Sequence, residues 1–318
     1  VVEDCWGALN VTGWMGHVLK EKLKALKVTI KEWNRREFGK MDESIRHLIS
    51  CIKEKDQRGE DGLLTIQEVE ERKKLFGDLW RLLKSKEVLT VQRSKAKWHK
   101  EGDSNSKFFH SCLKMREKRN SIYCLRVGNR WLEASSEIIE EVSTYFKNHF
   151  SSIPWVRPKL DRVVFPSISM MGNLLLTAPF VLEEIEEVVM KSDGNKSPGP
   201  DGFNFAFVKS FWPMLKGEVR IMFDQFHGNA CLPKGTLSYF IALIPKVVCP
   251  SSLGEFRPIS LLGCLYKLLA KVLAARLAKV MDSVVASTQS AFIKGRNLVD
   301  GVMVVNEVVD LAKKSGRR

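Results

Sequence analysis

The sequence predicts an α/β protein that is mainly helical and carries a small sheet. Apolar residues recur every three or four positions along much of the first 150 residues, which is the spacing of amphipathic helices. An apolar run at residues 239–246 is the one clear strand candidate. Hydrophobic residues make up 44% of the 318-residue chain and charged residues 28%, a composition that supports a sizeable buried core.

The first 150 residues are predicted to form a helical region. A first apolar face is expected from Leu19, Leu23, Leu26, Ile30 and Trp33, and the same pattern continues in Ile45, Leu48 and Ile52. Residues 58–62 are typical of a turn, and Thr65 with Glu68 three positions later forms the capping-box pattern that opens a second helix. The second helix is expected to bury Ile66, Val69, Phe76, Trp80 and Leu83. The two segments therefore predict an antiparallel helical hairpin.

Positive charge is concentrated between residues 93 and 130. This segment holds 11 Lys or Arg and 3 Asp or Glu, a net charge of +8 within a chain whose total is +14. Aromatic residues are interleaved with these charges, and that composition suits phosphate contacts combined with base stacking. A nucleic acid is therefore the expected partner, and a solvated basic helix is the open alternative.

The remaining elements divide the chain into three predicted regions. Residues 135–150 have helical spacing, and Pro154 and Pro158 then mark an irregular linker at 151–179. An acidic helix at 180–191 opens the last region. A later helix is predicted to begin at Ser260, with Leu261, Leu265, Leu268 and Val272 on its buried face. The predicted division is therefore 1–150, 151–179 and 180–318.

Several common site patterns are missing from the sequence. It contains no H-E-x-x-H, Walker A, G-x-G-x-x-G or G-x-S-x-G motif, which argues against the enzyme classes that those motifs mark. Seven cysteines without a C-x-x-C pair favour a reducing, intracellular compartment, nuclear or cytoplasmic. The uncharged stretch 163–182 is interrupted by Pro166 and Pro179, so no membrane span is expected. Because the chain opens on Val1, we expect it to be a fragment.

A Pro- and Gly-rich run, Lys196-Ser197-Pro198-Gly199-Pro200-Asp201-Gly202-Phe203, is followed by four ordered motifs in the last region. They are Leu243-Ile244-Pro245-Lys246, Phe256-Arg257-Pro258-Ile259-Ser260-Leu261-Leu262, Tyr266-Lys267, and Gln289-Ser290-Ala291-Phe292-Ile293-Lys294-Gly295-Arg296. Together they resemble the reverse transcriptase of plant LINE-type non-LTR retrotransposons, over about residues 182–318. Residues 97–110 are similar to the segment between endonuclease and polymerase in those transposable elements.

The resemblance implies the fingers and upper palm of a right-hand RNA-directed DNA polymerase, a nucleotidyltransferase. The implied partners are an RNA template, a DNA primer and deoxynucleoside triphosphates. Lys246 and Arg257 match positions that approach the triphosphate of the incoming nucleotide, which fixed cations bind well. Template and primer contacts are implied for Lys196, Gly199, Asp201, Gln289 and Arg296, and Phe292 is expected to anchor the core. The expected nucleic-acid contacts of the basic segment are Lys107, Arg116, Lys118 and Arg119.

The resemblance also implies that the catalytic groups belong to another part of such a polymerase. In the family, palm aspartates hold two metal ions, and this sequence ends before the position expected for the first of them. We therefore expect no catalytic and no metal-binding residue in this chain. Mg²⁺ is expected only in a full-length polymerase that includes the missing palm and thumb, so the chain alone is expected to be inactive. The alternative is a non-enzymatic, basic nucleic-acid-binding remnant of a decayed element.

Overall fold

A computed structural model describes residues 1–62, 64–94, 106–151, 156, 161, 164–286, 288–290, 292–293 and 295–316. Within these ranges the side chains of residues 61, 90–94, 106, 107 and 109 are outside the description. The chain forms two compact units, each built from separate stretches of sequence. The first unit contains Val28–Ser152 and Ala242–Ile259, and the second contains Val2–Lys27, Ile153–Ile241 and Ser260–Arg318. The predicted three-region division stays a prediction.

The described residues are mostly helical, with two small two-stranded sheets. The helices are α1 Val2–Ala8, α2 Met15–Phe38, α3 Met41–Asp61, α4 Ile66–Ser94, α5 Ser106–Asn120, α6 Ser135–His149, α7 Met170–Thr177, α8 Leu182–Lys191, α9 Phe205–Ser210, α10 Trp212–Asn229, α11 Cys264–Ala278, α12 Met281–Val284 and α13 Leu298–Lys314. The strands are β1 Leu125–Val127, β2 Arg130–Leu132, β3 Tyr239–Pro245 and β4 Phe256–Leu262. Strand β1 pairs with β2, and β3 pairs with β4.

The predicted helical hairpin is confirmed in α3 and α4 of the first unit. The two helices run antiparallel, because two ion pairs join the later part of α3 to the early part of α4, and a third joins the start of α3 to the later part of α4. These pairs are Lys55–Glu71 at 2.7 Å, Asp56–Arg72 at 2.5 Å and Asp42–Lys86 at 2.6 Å. The capping box is also confirmed, since the Thr65 amide donates to Glu68 at 2.9 Å and the Glu68 amide donates to Thr65 Oγ1 at 3.3 Å.

The apolar face predicted for α4 is wrong. Ile66, Phe76, Trp80 and Leu83 are 84%, 54%, 64% and 42% exposed, and Val69 is half-buried. Among the described elements, α4 packs mainly against α3 and α5, and these two neighbours cover only part of its circumference. The helical spacing identified the helix correctly, but spacing alone does not say that a partner is present to cover the face.

The core of the first unit lies where two hairpins meet a helix. Its buried side chains come from β1 and β2, from α6, from the turn before β4 and from the first residue of β4. They are Leu125, Leu132, Ile138, Leu253 and Phe256. The β1–β2 register places Leu125 opposite Leu132, so both point to the buried face. The Arg126 amide donates to the Ser251 carbonyl at 2.7 Å and ties the two hairpins together. The predicted strand 239–246 is confirmed as β3.

The core of the second unit is a helical cluster. Its most buried side chains lie on α2, α8, α10 and α11 and are Leu19, Leu26, Ile185, Val189, Val219, Phe223, Leu268 and Val272. The buried Lys22 of α2 pairs with Glu218 of α10 at 2.5 Å, so its charge is compensated where it is desolvated. The predicted helices at 135–150 and 180–191 are confirmed as α6 and α8.

Two boundaries differ from the prediction. The helix expected from Ser260 begins at Cys264, because residues 260–262 complete β4 and pair with β3. This pairing is formed with a strand some 20 positions earlier, so a local helical pattern does not reveal it. The predicted irregular linker contains α7, whose N-cap Ser169 accepts a hydrogen bond from the Gly172 amide at 3.1 Å.

Candidate nucleic-acid interface

The two predicted triphosphate contacts lie at one end of the β3–β4 hairpin in the first unit. The Lys246 amide donates to the Glu255 carbonyl at 2.8 Å, so Lys246 lies beside the residue that precedes β4. Pro245 and Phe256 are buried, and Lys246 and Arg257, the next residue in each case, are exposed. Both cations are therefore open to solvent at the end of the hairpin where Lys246 pairs with Glu255.

The two cations differ in how they are held. Lys246 Nζ donates to the Gly254 carbonyl at 2.7 Å, which leaves the ammonium group further donors. The Arg257 side chain makes no hydrogen bond or ion pair with any residue that the structure describes. An exposed guanidinium can bind two oxygens of one phosphate at once, which an ammonium group cannot do.

The turn beside these cations is fixed by a carboxylate. Glu255 accepts hydrogen bonds from the amides of Ser251 at 2.6 Å and Ser252 at 3.1 Å. These bonds stabilise the ionised carboxylate and lower the pKa of Glu255 below its usual value. The acidic side chain is therefore engaged by backbone groups close to Lys246.

The loop at 196–203 is a tight turn held against the start of α11 in the second unit. The Gly202 amide donates to the Gly199 carbonyl at 3.0 Å, and Gly202 has a φ of +87°. A Cβ atom on Gly199 would lie 2.3 Å from the carbonyl carbon of Leu262, so only glycine allows this approach. The Asp201 carboxylate accepts from the Phe203 amide at 3.3 Å and from the Cys264 amide at 2.5 Å.

Asp201 therefore caps a helix that begins 63 positions later in the sequence. Two lysines add bonds to the same loop: Lys267 Nζ donates to the Ser197 carbonyl at 2.9 Å, and Lys27 Nζ donates to the Pro200 carbonyl at 2.6 Å. The structure gives Gly199 and Asp201 a role in fixing this loop, and their contact with template or primer stays a prediction. Lys196 lies at the exposed start of the loop, 3.5 Å from Asp193.

Arg296 is engaged within its own loop. Its guanidinium donates to the carbonyls of Ala286 at 2.6 Å, Gln289 at 2.8 Å and Val285 at 3.3 Å, and to Asp282 at 2.9 Å. These bonds close the segment after α12, so binding of a phosphate by Arg296 would require some of them to break. The predicted core role of Phe292 is wrong, because this side chain is fully exposed and its backbone has a φ of 63°.

The predicted basic contacts lie on α5 in the first unit. Arg116, Lys118 and Arg119 are exposed near the end of this helix. Lys107 lies in the first turn of α5, and its side chain is outside the described residues. Of the segment at 97–110, residues 97–105 also lie outside the described residues.

Sequence reasoning missed a row of lysines on α2. Lys20, Lys24 and Lys27 have the i, i+4, i+7 spacing of one helical side, and they border a cavity beside the 196–203 loop. The signal is present in the sequence next to the apolar set Leu19, Leu23 and Leu26. Its meaning depends on the contact between α2 and the loop, which spans more than 170 positions.

The described residues contain neither a cluster of metal ligands nor a membrane-spanning helix. No three His, Cys, Asp or Glu side chains in this part of the chain come together in a way that could hold a metal ion. No helix within the same ranges is both long enough and apolar enough to cross a bilayer.

Two proteins of transposable elements are similar to the chain. The Transposon TX1 uncharacterized 149 kDa protein of Xenopus laevis is 26% identical over 298 residues, which cover 92% of this chain and 22% of that protein. The Retrovirus-related Pol polyprotein from type-1 retrotransposable element R1 of Bradysia coprophila is 28% identical over 137 residues, covering 42% of this chain and 13% of that protein. No protein-family model matches the chain. These similarities support a retrotransposon origin.

Proposed function

We propose that the chain is the part of a non-LTR retrotransposon reverse transcriptase, of the plant LINE type, that engages template, primer and incoming nucleotide. The observation that carries the proposal is the exposed Arg257 guanidinium, which has no side-chain partner among the described residues and belongs to the strand that begins next to the Lys246–Glu255 backbone bond. The similarity to two transposable-element proteins and the net charge of +14 support the same class of partner. The chain spans 22% and 13% of those two proteins, so the activity of a whole polymerase is part of the proposal.

The chemistry proposed for this site is recognition of a triphosphate. Arg257 would bind two oxygens of one phosphate through parallel N–H groups, and Lys246 would add a point charge to a neighbouring phosphate. Such contacts position the nucleotide and reduce its charge.

Equilibrium binding of dATP tests the proposal, with the K246A/R257A variant compared with K53A/K74A. Lys53 and Lys74 are exposed lysines on α3 and α4 of the same unit, so the control loses the same formal charge elsewhere. Hydrogen bonds to charged groups contribute about 1.5–3 kcal/mol, so the affinity of K246A/R257A should fall by at least about tenfold. The control should bind like the unmodified chain, and equal weakening in both variants would contradict the proposal.

The second candidate is a non-enzymatic nucleic-acid-binding remnant. The exposed α5 side chains Arg116, Lys118 and Arg119 favour it, because binding of phosphate by these cations would not require the β3–β4 hairpin. Salt-dependent RNA binding that is lost on neutralising these three residues, and kept in R257A, would favour the remnant. The reverse pattern would favour the polymerase.

A further inference from the structure

A cavity of about 270 Å³ lies in the second unit between α2, the 196–203 loop and the start of α11. Leu23, Leu265 and Tyr266 line part of it with apolar and aromatic surface, and Lys20, Lys24 and Lys27 line it from α2. An apolar floor combined with several cations suits a ligand that has a flat ring and a negative charge.

The charges around this cavity favour an anion. Lys20 and Lys24 share Glu21, with N–O distances of 3.3 and 3.7 Å, and hydrogen bonding from Lys20 lowers the pKa of that carboxyl. The Asp201 carboxylate is engaged by the first amide of α11. The three ammonium groups of the row therefore meet two carboxylates, Glu21 and Asp201, and the row keeps a positive excess.

We propose that this cavity takes one nucleotide unit of a single-stranded nucleic acid, with the base against Tyr266 and the backbone phosphates at Lys20 and Lys24. The inference rests on the proposed function and assigns it a site outside the β3–β4 hairpin. Tyr266 offers an aromatic face for stacking, which contributes about 1–3 kcal/mol per base in single-strand binding proteins.

The lysine row favours a strand over a free nucleotide. A helix rises 1.5 Å per residue, so Lys20 and Lys24 are about 6 Å apart along α2 and Lys27 lies about 10 Å from Lys20. A row of this length matches successive phosphates of a chain better than the phosphate group of one small molecule. Lys27 also donates to the Pro200 carbonyl, so Lys20 and Lys24 are assigned to the strand.

Fluorescence anisotropy with a labelled 12-nucleotide oligo(dT) tests the cavity. The K20Q/K24Q variant should bind about tenfold more weakly, and the slope of log affinity against log salt should become shallower by about 1.4, for two lost phosphate contacts. The control is K216Q/K279Q, which removes two exposed lysines of the same unit that do not line the cavity. This control should change the affinity by no more than about twofold, a margin set by long-range screening.

A second measurement locates the base. Irradiation of a 5-bromodeoxyuridine-substituted strand should produce a cross-linked peptide that contains Tyr266. The Y266F variant should bind like the unmodified chain because it keeps the ring, and Y266L should bind about tenfold more weakly. The unfolding midpoint of each variant is measured by circular dichroism, so that a folding defect in Y266L is recognised. In that case the affinity of Y266F shows whether binding depends on the hydroxyl group of Tyr266.

Each outcome has a defined meaning. If the unmodified chain binds the oligonucleotide and K20Q/K24Q matches its control, with the cross-link elsewhere, the cavity assignment is wrong and the proposed function stands on the K246A/R257A comparison. If the unmodified chain binds no nucleic acid at all, both proposals fail. A last outcome concerns free dTTP, added at the same concentration of nucleotide units as the strand. If dTTP prevents the cross-link under that condition, the cavity holds a free nucleotide and the strand assignment is overturned.

Discussion

Replacing Arg276 by alanine is expected to destabilise the second unit by at least about 3 kcal/mol, the range for breaking a buried ion pair. Arg276 is 5% exposed, although arginine is among the residues least often buried. It donates to both oxygens of Glu184, at 3.1 and 2.5 Å, and therefore joins α11 to α8. The R276A variant would leave Glu184, a side chain only 20% exposed, without its cation.

Further contacts add to this estimate. The guanidinium donates to the carbonyls of Ala178 at 2.5 Å and Pro179 at 2.9 Å, in the segment between α7 and α8. It also lies 4.1 Å from the ring centroid of Phe180, a cation–π contact that contributes about 0.5–2 kcal/mol. These contributions are not additive, so 3 kcal/mol is taken as the lower bound.

Hydrogen exchange measured by mass spectrometry checks this prediction, because it reports the opening free energy of α8 and α11 separately. A loss of 3 kcal/mol corresponds to exchange about a hundredfold faster in these helices. The matched control is R220A, whose ion pair with Asp224 at 3.0 Å is an i, i+4 pair on α10 with both side chains about a third to a half exposed. Such pairs contribute about 0.3–0.5 kcal/mol, so the control should change exchange by about twofold.

A double-mutant cycle separates the pair from its surroundings. The R276A/E184A variant should be less destabilised than the sum of the two single variants, because neither charge is then left without its partner. The lysine variant R276K keeps the charge but loses the planar fork that reaches Glu184 and the carbonyls together, so it should fall between R276A and the unmodified chain. The reasoning is refuted if R276A changes exchange in α8 and α11 no more than R220A does.

Three other predictions concern the thiols, the pH response and catalysis. Burial, and secondly the nearby Asp201 carboxylate, raise the pKa of the Cys264 thiol. Iodoacetamide at pH 8 should therefore label the exposed Cys231 and Cys249 much faster than Cys264. Equal labelling of the three thiols would contradict the burial of Cys264. The pKa of Glu255 is lowered in the folded state, so its ionised carboxylate stabilises the fold at pH values above the unfolded pKa near 4.5. This contribution to the free energy of unfolding is lost as pH falls through the lower pKa of the folded state. Exchange near Ser251 should therefore be faster in E255Q than in the unmodified chain at pH 7, and the two should converge at low pH. The purified 318-residue chain should not extend a DNA primer on an RNA template with Mg²⁺, since its sequence contains no adjacent aspartate pair; any metal-dependent extension would show this expectation to be wrong.

Local signals in the sequence identified several of the helices, among them α2, α3, α4, α6 and α8. The capping box of Thr65 and Glu68 depends on hydrogen bonds between residues only three positions apart, and the structure contains both of them. The β3–β4 pairing and the Asp201–Cys264 contact join positions far apart in sequence, and no local pattern encodes them. For the same reason the burial of Arg276 was not foreseen, because its partners Ala178 and Glu184 lie more than 90 positions away.

Exposure was predicted less well than helix formation. The spacing of Ile66, Phe76 and Trp80 matches an amphipathic helix, yet all three are exposed. A periodic pattern states which residues share a face, and the packing of other elements decides whether that face is covered. Phe292 shows the same effect in the last motif, where an aromatic residue expected in the core is fully exposed.

The predicted cations are of two kinds, which differ in whether their N–H donors already bind groups of the protein. Arg296 directs its guanidinium to three carbonyls and Asp282, so a phosphate would have to compete with bonds that close the loop. Arg257 has no such side-chain partner among the described residues, and a phosphate would displace only water. Replacing Arg257 should therefore weaken ligand binding without destabilising the fold, whereas replacing Arg296 should first speed hydrogen exchange in residues 282–290. Measuring both quantities on R257A and R296A distinguishes a binding residue from one that shapes the loop.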